Sequence, residues 1–135
     1  MAVAVRRILI VDSSLPVRTV LTDILMKLGQ PPDTLIAVGS HEDALKEFHK
    51  SHPEMVFTEM AVNGKDSLHF IETMLNAEPR LKIVIVTAED RTSPNVREAI
   101  RMGAFDYVEK PLRMEKIRAA FSAILVEEGG VERMR

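Results

Sequence analysis

Four short apolar runs in this chain are each followed at once by residues able to do chemistry. Ile8-Leu9-Ile10-Val11 ends in Asp12, Met55-Val56-Phe57 in Thr58-Glu59, Ile83-Val84-Ile85-Val86 in Thr87-Ala88, and Phe105 to Val108 in Glu109-Lys110-Pro111. Among them Asp12, Glu59, Thr87 and Lys110, two carboxylates, a hydroxyl and an ammonium, could serve as general acids and bases if the fold brought them together. Each also has a plain structural use. Asp12, beside Ser13 and Ser14, could satisfy the first amides of a helix; Glu59 could be a solvated strand end, and Lys110 could lay its stem along the surface. It is their repetition after four apolar runs that points to a site.

The elements that must position them are legible from periodicity. Ile8 to Val11, Leu35-Ile36-Ala37-Val38, Met55 to Phe57 and Ile83 to Val86 are near-continuously apolar, as strands covered by helices on both faces must be, and Phe105 to Val108 is a weaker fifth run. Between them, Val17, Val20, Leu21, Ile24, Leu25 and Leu28 trace one helical face, as do Leu68, Ile71, Met74 and Leu75, and later Met114, Ile117, Phe121, Ile124 and Leu125. Pro16 falls in a first helical turn, Ser40 with Asp43 has capping-box spacing, and Ser93-Pro94 sets a cap before a first-turn proline. Gly29, Gly103 and Gly129 stand where residues just past a helix stand. Strands alternating with helices predict an α/β fold, a doubly wound five-stranded parallel sheet with five helices. In such a sheet ligands bind outside the carboxyl ends of the strands, so the residues after the runs share one edge.

Composition sets limits. The chain has 135 residues, 46% hydrophobic and 28% charged, which is ordinary for one globular core. Lys and Arg number 18 against 20 Asp and Glu, a net charge of −2, without the strongly basic field of a nucleic-acid binder; five Phe, one Tyr and no Trp leave little for base stacking. The absence of cysteine removes disulfides, thiol catalysis and Cys-based metal sites. No apolar run approaches the ~20 residues that span a bilayer. The expectation is a cytoplasmic protein that binds neither nucleic acid nor membrane. His41, His49, His52 and His69 read as solvated surface residues, Met55, Met74 and Met114 as packing, and Asp12-Ser13-Ser14-Leu15-Pro16 lacks the glycines of a phosphate loop.

Taken together, Ile8 to Asp12 with Arg18 six residues on, Pro53 to Glu59, Asn63-Gly64-Lys65-Asp66, Ile83 to Ala88 and Gly103 to Pro111 resemble the receiver domain of two-component response regulators, like that of the chemotaxis regulators. The resemblance covers about residues 6–126. It sets a receiver-like domain at 4–126 and a polar C-terminal tail at 127–135, which fits a complete protein or the first domain of a longer one. It implies a flavodoxin-like sheet of order 2-1-3-4-5 that takes a phosphoryl group from a histidine kinase onto an aspartate after the third strand. Acids after strands one and three would hold Mg²⁺, with Asp12, Glu59 and Ala61 at the metal positions. Lys110 would contact the phosphoryl group, Thr87-Ala88 would follow it, and the strand-five aromatic, Tyr107, would change rotamer with it. The Lys110-Pro111 peptide would be cis.

Two positions depart from the family. Its second acid after strand one is Ser13 here, and its phosphoacceptor aspartate is Glu59. A carboxylate missing ~4 Å from a divalent ion forfeits a gross attraction of about 2 kcal/mol in water and about 8 at an effective dielectric of 20, so Mg²⁺ binding is expected to be weak. The extra methylene of Glu59 moves its carboxylate by ~1.5 Å, and in-line phosphoryl transfer loses about 10²-fold for errors near 1 Å. Glu59 could instead reach toward Lys110 and Thr87, standing where a phosphoryl oxygen would be. Val62-Asn63 and Ser67 also replace the family's Met-Pro and glycine, while Asp66 still suits a helix N-cap. The expected function is a phosphorylation-independent pseudo-receiver acting through protein contact, without enzymatic activity. The alternatives are a receiver phosphorylated at Glu59 or Thr58, and a small enzyme using Asp12, Glu59 and Lys110. Arg91, Arg97, Arg101, Arg113, Lys116 and Arg118 fall on the helix 4, strand 5 and helix 5 face, which with its interleaved acids reads first as an ordinary solvated face and alternatively as a surface for a histidine kinase, a downstream effector or a second copy.

Overall fold

The computed structural model describes residues 6–133, with side chains to Glu127; residues 4 and 5 of the expected domain and 134 and 135 of the expected tail lie outside these. The apolar runs form β1 (Ile8–Val11), β2 (Leu35–Val38), β3 (Met55–Thr58), β6 (Lys82–Thr87) and β7 (Asp106–Glu109). The helices are α1 (Leu15–Lys27), α2 (His41–Ser51), α3 (Leu68–Ala77), α4 (Pro94–Met102) and α5 (Met114–Arg133). The five strands pair in parallel in the order β2-β1-β3-β6-β7, which is the expected 2-1-3-4-5 when counted within the sheet.

Alternation along each strand divides the core in two. Leu9, Val11, Val56, Ile83 and Ile85 meet Phe48, Phe70, Ile71, Met74, Val96 and Ala99 of α2, α3 and α4. On the opposite face Ile8, Ile10, Phe57, Val84 and Val86 meet Leu21, Leu25, Ile117, Phe121 and Ile124 of α1 and α5. Every residue of β1 and β3 is buried, whereas β2, at the sheet edge, is only partly buried and Ala37 is exposed. β2 is covered on both faces, Leu35 packing on one cluster and Ile36 and Val38 on the other, and its partial exposure comes from having a strand neighbour on one side only. On α1, Val20 is 46% exposed although the periodicity put it on the buried face.

Local signals mostly hold. Ser14 and Ser40 cap α1 and α2 by accepting the Val17 and Asp43 amides. Ser93 occupies the cap position of α4, but its hydroxyl donates to Glu89 instead of capping. The cap position of α3 is Ser67, one residue after Asp66, whose carboxylate accepts the Leu68 amide at 3.0 Å. Gly129 does not end a helix: α5 continues through it to Arg133, over the stretch read as a tail. Between β3 and α3 lies a small antiparallel hairpin absent from the sequence reading, β4 (Ala61–Val62) with β5 (Lys65–Asp66). Its turn is Asn63-Gly64, with φ of 53° and 76°; two successive positive values are what a two-residue type I′ turn requires.

Candidate functional site

Strand register sets the levels of the site residues. Val11, Thr58, Ile85 and Tyr107 share one row, so Asp12 and Glu59 emerge together one step on, while Lys110 emerges two rows further and its long stem brings the ammonium back. Lys110 Nζ donates to Asp12 Oδ2 and to Glu59 Oε1, both at 2.9 Å. The remaining oxygens are also engaged. Asp12 Oδ1 accepts the Ser14 amide at 2.9 Å, and Glu59 Oε2 accepts the Met60 amide. Asp12 thus holds the turn that leads into α1 while acting as an ion-pair partner, but the helix's own amide is capped by Ser14 and not by Asp12.

Burial alone would lower the proton affinity of the Lys110 amine, but hydrogen bonds to Asp12 and Glu59 and the attraction of both carboxylates together outweigh it, holding its pKa above the usual lysine value. With Lys110 charged, the three groups carry one net negative charge. Thr87 is buried, its hydroxyl accepting the Glu89 amide at 3.2 Å and its carbonyl accepting the Lys110 amide at 2.8 Å. Tyr107 donates its hydroxyl to the Glu89 carbonyl, and Arg91 lies 5.2 Å from its ring centroid. The Lys110–Pro111 peptide is cis, as expected.

Ser13 is exposed and makes no hydrogen bond among those of the described residues; Ala88, Pro111 and Ala61 are exposed. Glu59 reaches Lys110 as expected, but its second oxygen turns back to the Met60 amide instead of toward Thr87. Mg²⁺ was expected to bind weakly or not at all at Asp12, Glu59 and Ala61. Both carboxylates share the Lys110 ammonium and Ser13 supplies no third, which suits a weak site, and among the described residues no group of three or more His, Cys, Asp or Glu could hold a metal ion.

Two contacts were invisible in the sequence. Arg18 Nη1 donates to the Asp12 carbonyl at 2.7 Å, and a Cβ on Gly39 would lie 2.9 Å from the same nitrogen, so the bare backbone of Gly39 makes room for the guanidinium. His41, expected on the solvated surface, is half-buried, stacked on Phe70 with ring centroids 4.9 Å apart, and hydrogen-bonded to Ser67 at 2.9 Å. Partial burial pushes the imidazole below the usual histidine range; Asp66 opposes this and Lys65 adds to it. His49, His52 and His69 are exposed as expected.

A doubly wound parallel sheet whose acids and lysine meet at the carboxyl edge defines the class: an α/β module with one ionic cluster over its central strands. Residues 8–122 match the model of the response regulator receiver domain family, and the chain belongs to that family, as a receiver domain of two-component response regulators. It is 29% identical over 136 residues to a protein-glutamate methylesterase/protein-glutamine glutaminase of Methylobacillus flagellatus, covering 89% of this chain and 37% of that protein. It is 31% identical over 114 residues to the regulatory protein AtoC of Escherichia coli, covering 84% of this chain and 24% of that protein. The chain thus spans about a third or less of these relatives' lengths. Among solved structures, the receiver domain of NtrX from Brucella abortus superposes with a TM-score of 0.78 at 24% identity, covering 87% of this chain and 97% of that one. A response regulator receiver domain protein from Clostridium thermocellum gives 0.83 at 18% identity, covering 94% and 99%. These likenesses establish the fold. Among the described residues, no helix is long and apolar enough to cross a membrane.

Proposed function

We propose that this chain is a pseudo-receiver, a signalling module that acts by protein contact and does not depend on phosphorylation at its strand-three acid. The observation that carries the reading is the bond from Lys110 Nζ to Glu59 Oε1 at 2.9 Å. Lys110 is the group that would meet a phosphoryl oxygen, and Glu59 already occupies it. One carboxylate supplies one negative charge where a phosphate supplies ~1.5–2, so the mimicry is partial. The Tyr107 hydroxyl, held by the Glu89 carbonyl, is consistent with a switch residue resting in one arrangement.

The partner surface in this reading is the face formed by α4, β7 and α5. A groove of about 630 Å³ runs between α4 and β7, with Arg91, Arg97 and Arg101 along it and Ile100 and Phe105 among its apolar lining. It suits an acidic, partly apolar segment of an effector or kinase. The second reading, a phosphorylatable receiver, is favoured by Thr87, Tyr107 and Lys110 standing at the family's positions. Within it Thr58 is a poor acceptor, being wholly buried with its hydroxyl given to the Glu59 carbonyl. The small-enzyme reading lacks a free base, because both carboxylates are tied to Lys110.

Amide NMR spectra with and without beryllofluoride and Mg²⁺ test the proposal. No change around Thr87, Tyr107 and Lys110 is expected in the wild type; saturable shifts there would favour the phosphorylatable receiver.

A further inference from the structure

Ser67 stands where the family has a glycine, and in this fold it is not idle. It is wholly buried; its hydroxyl lies 2.6 Å from the Glu59 carbonyl and 2.9 Å from His41 Nε2, and its amide donates to the Met60 carbonyl at 2.8 Å. A hydroxyl has one proton, and a carbonyl can only accept it, so Ser67 donates to Glu59 and His41 Nε2 donates to Ser67. His41 opens α2 and is seated by its stack on Phe70. A parallel tie runs from Asn63 Nδ2 at the hairpin tip to the Gly39 carbonyl at 3.0 Å, two residues before His41.

We propose that His41 and Ser67 are positioning residues for Glu59. They grip its carbonyl through the chain His41 Nε2–H, Ser67 Oγ–H, Glu59 C=O, and so aim its carboxylate at Lys110 and the Met60 amide. A glutamate has one more rotatable bond than an aspartate, so its aim depends more on a fixed backbone. Among the described residues, only one further side chain, Thr58, bonds the same carbonyl, at 3.1 Å. The grip joins the first residue of α2 to the segment that follows the acid, 26 residues apart for His41 and Ser67. The proposal rests on the Glu59–Lys110 geometry and holds whether or not the site accepts a phosphoryl group.

Three variants separate a hydrogen-bond relay from simple packing: Ser67→Gly removes the relay, His41→Phe keeps the ring on Phe70 but not the donor, and His41→Gln keeps a donor but not the ring. The readouts are hydrogen exchange of the Met60 amide and the ¹⁵N resonance of the Lys110 ammonium, with the Ile10 amide in the central strand as the reference for global unfolding. Ser67→Gly is expected to speed Met60 exchange about tenfold relative to Ile10, as local opening without global loss does. His41→Phe should move both signals in the same direction, His41→Gln should leave them near wild type, and His41→Phe should add nothing once Ser67 is glycine. The proposal is overturned if Met60 and Lys110 keep their wild-type behaviour in Ser67→Gly, if His41→Gln disturbs them more than His41→Phe, or if the two losses simply sum.

Discussion

Replacing Lys110 by methionine removes the cation between two acids while keeping most of the apolar stem. The side chains of Lys110, Asp12 and Glu59 are 19%, 7% and 13% exposed, so water screens them little. At a charge separation of ~4 Å each attraction is worth about 1 kcal/mol in bulk water and about 4 at an effective dielectric of 20. Desolvation of the ammonium offsets part of that, and removing one member of a buried pair ordinarily costs about 3–5 kcal/mol because its partner stays behind uncompensated. Here two partners stay behind, facing each other, but the remaining exposure lets water reach them. We expect a loss of about 2–4 kcal/mol at pH 7, or about 6–15 °C in thermal midpoint for a domain of this size. Urea unfolding of both proteins at pH 7 measures this. A deficit under about 0.5 kcal/mol would refute the reasoning, since surface pairs behave that way.

Further outcomes follow from other contacts. Gly39→Ala should cost about 1–2 kcal/mol by displacing the Arg18 guanidinium from the Asp12 carbonyl, and the cost should vanish in an Arg18→Ala background, a coupling that a double-mutant cycle reads directly. Gly64→Ala should cost about 1 kcal/mol from its positive φ alone, because a Cβ there meets nothing within 4 Å. His41 has its pKa lowered in the folded protein, so the unfolded chain takes up a proton first on acidification: its contribution is complete above the ordinary histidine pKa of about 6.5 and is lost as pH falls from there through the folded value. The thermal midpoint of the wild type should thus fall more steeply between pH 7.5 and 5 than that of His41→Phe.

The fold was largely readable because central parallel strands are apolar at every position, and the residue ending each run is by construction at the binding edge. Reading failed where the signal was shorter or longer than a periodicity window. β4 and β5 have two residues each, too few to alternate, and only Asn63-Gly64 announced them. Gly129 looked like a stop, yet α5 propagates past it; a glycine inside a helix costs only about 1 kcal/mol. Edge position, which exposes Ala37 of β2, is a property of sheet order and leaves no local trace. At the site, Asp12, Glu59 and Lys110 could be assembled from topology, whereas the turn of Glu59 back to the Met60 amide depends on a rotamer, and the His41–Ser67 bond on two helix starts distant in sequence.

The central claim is that Glu59 stands in for the phosphoryl group and is not its acceptor. Intact mass after incubation with a small-molecule phosphodonor and Mg²⁺, on the wild type beside Glu59→Asp and Glu59→Gln variants, addresses it most directly. The account predicts no added phosphoryl group on the wild type under conditions that phosphorylate an ordinary receiver. A stoichiometric gain on the wild type that Glu59→Gln abolishes would contradict it.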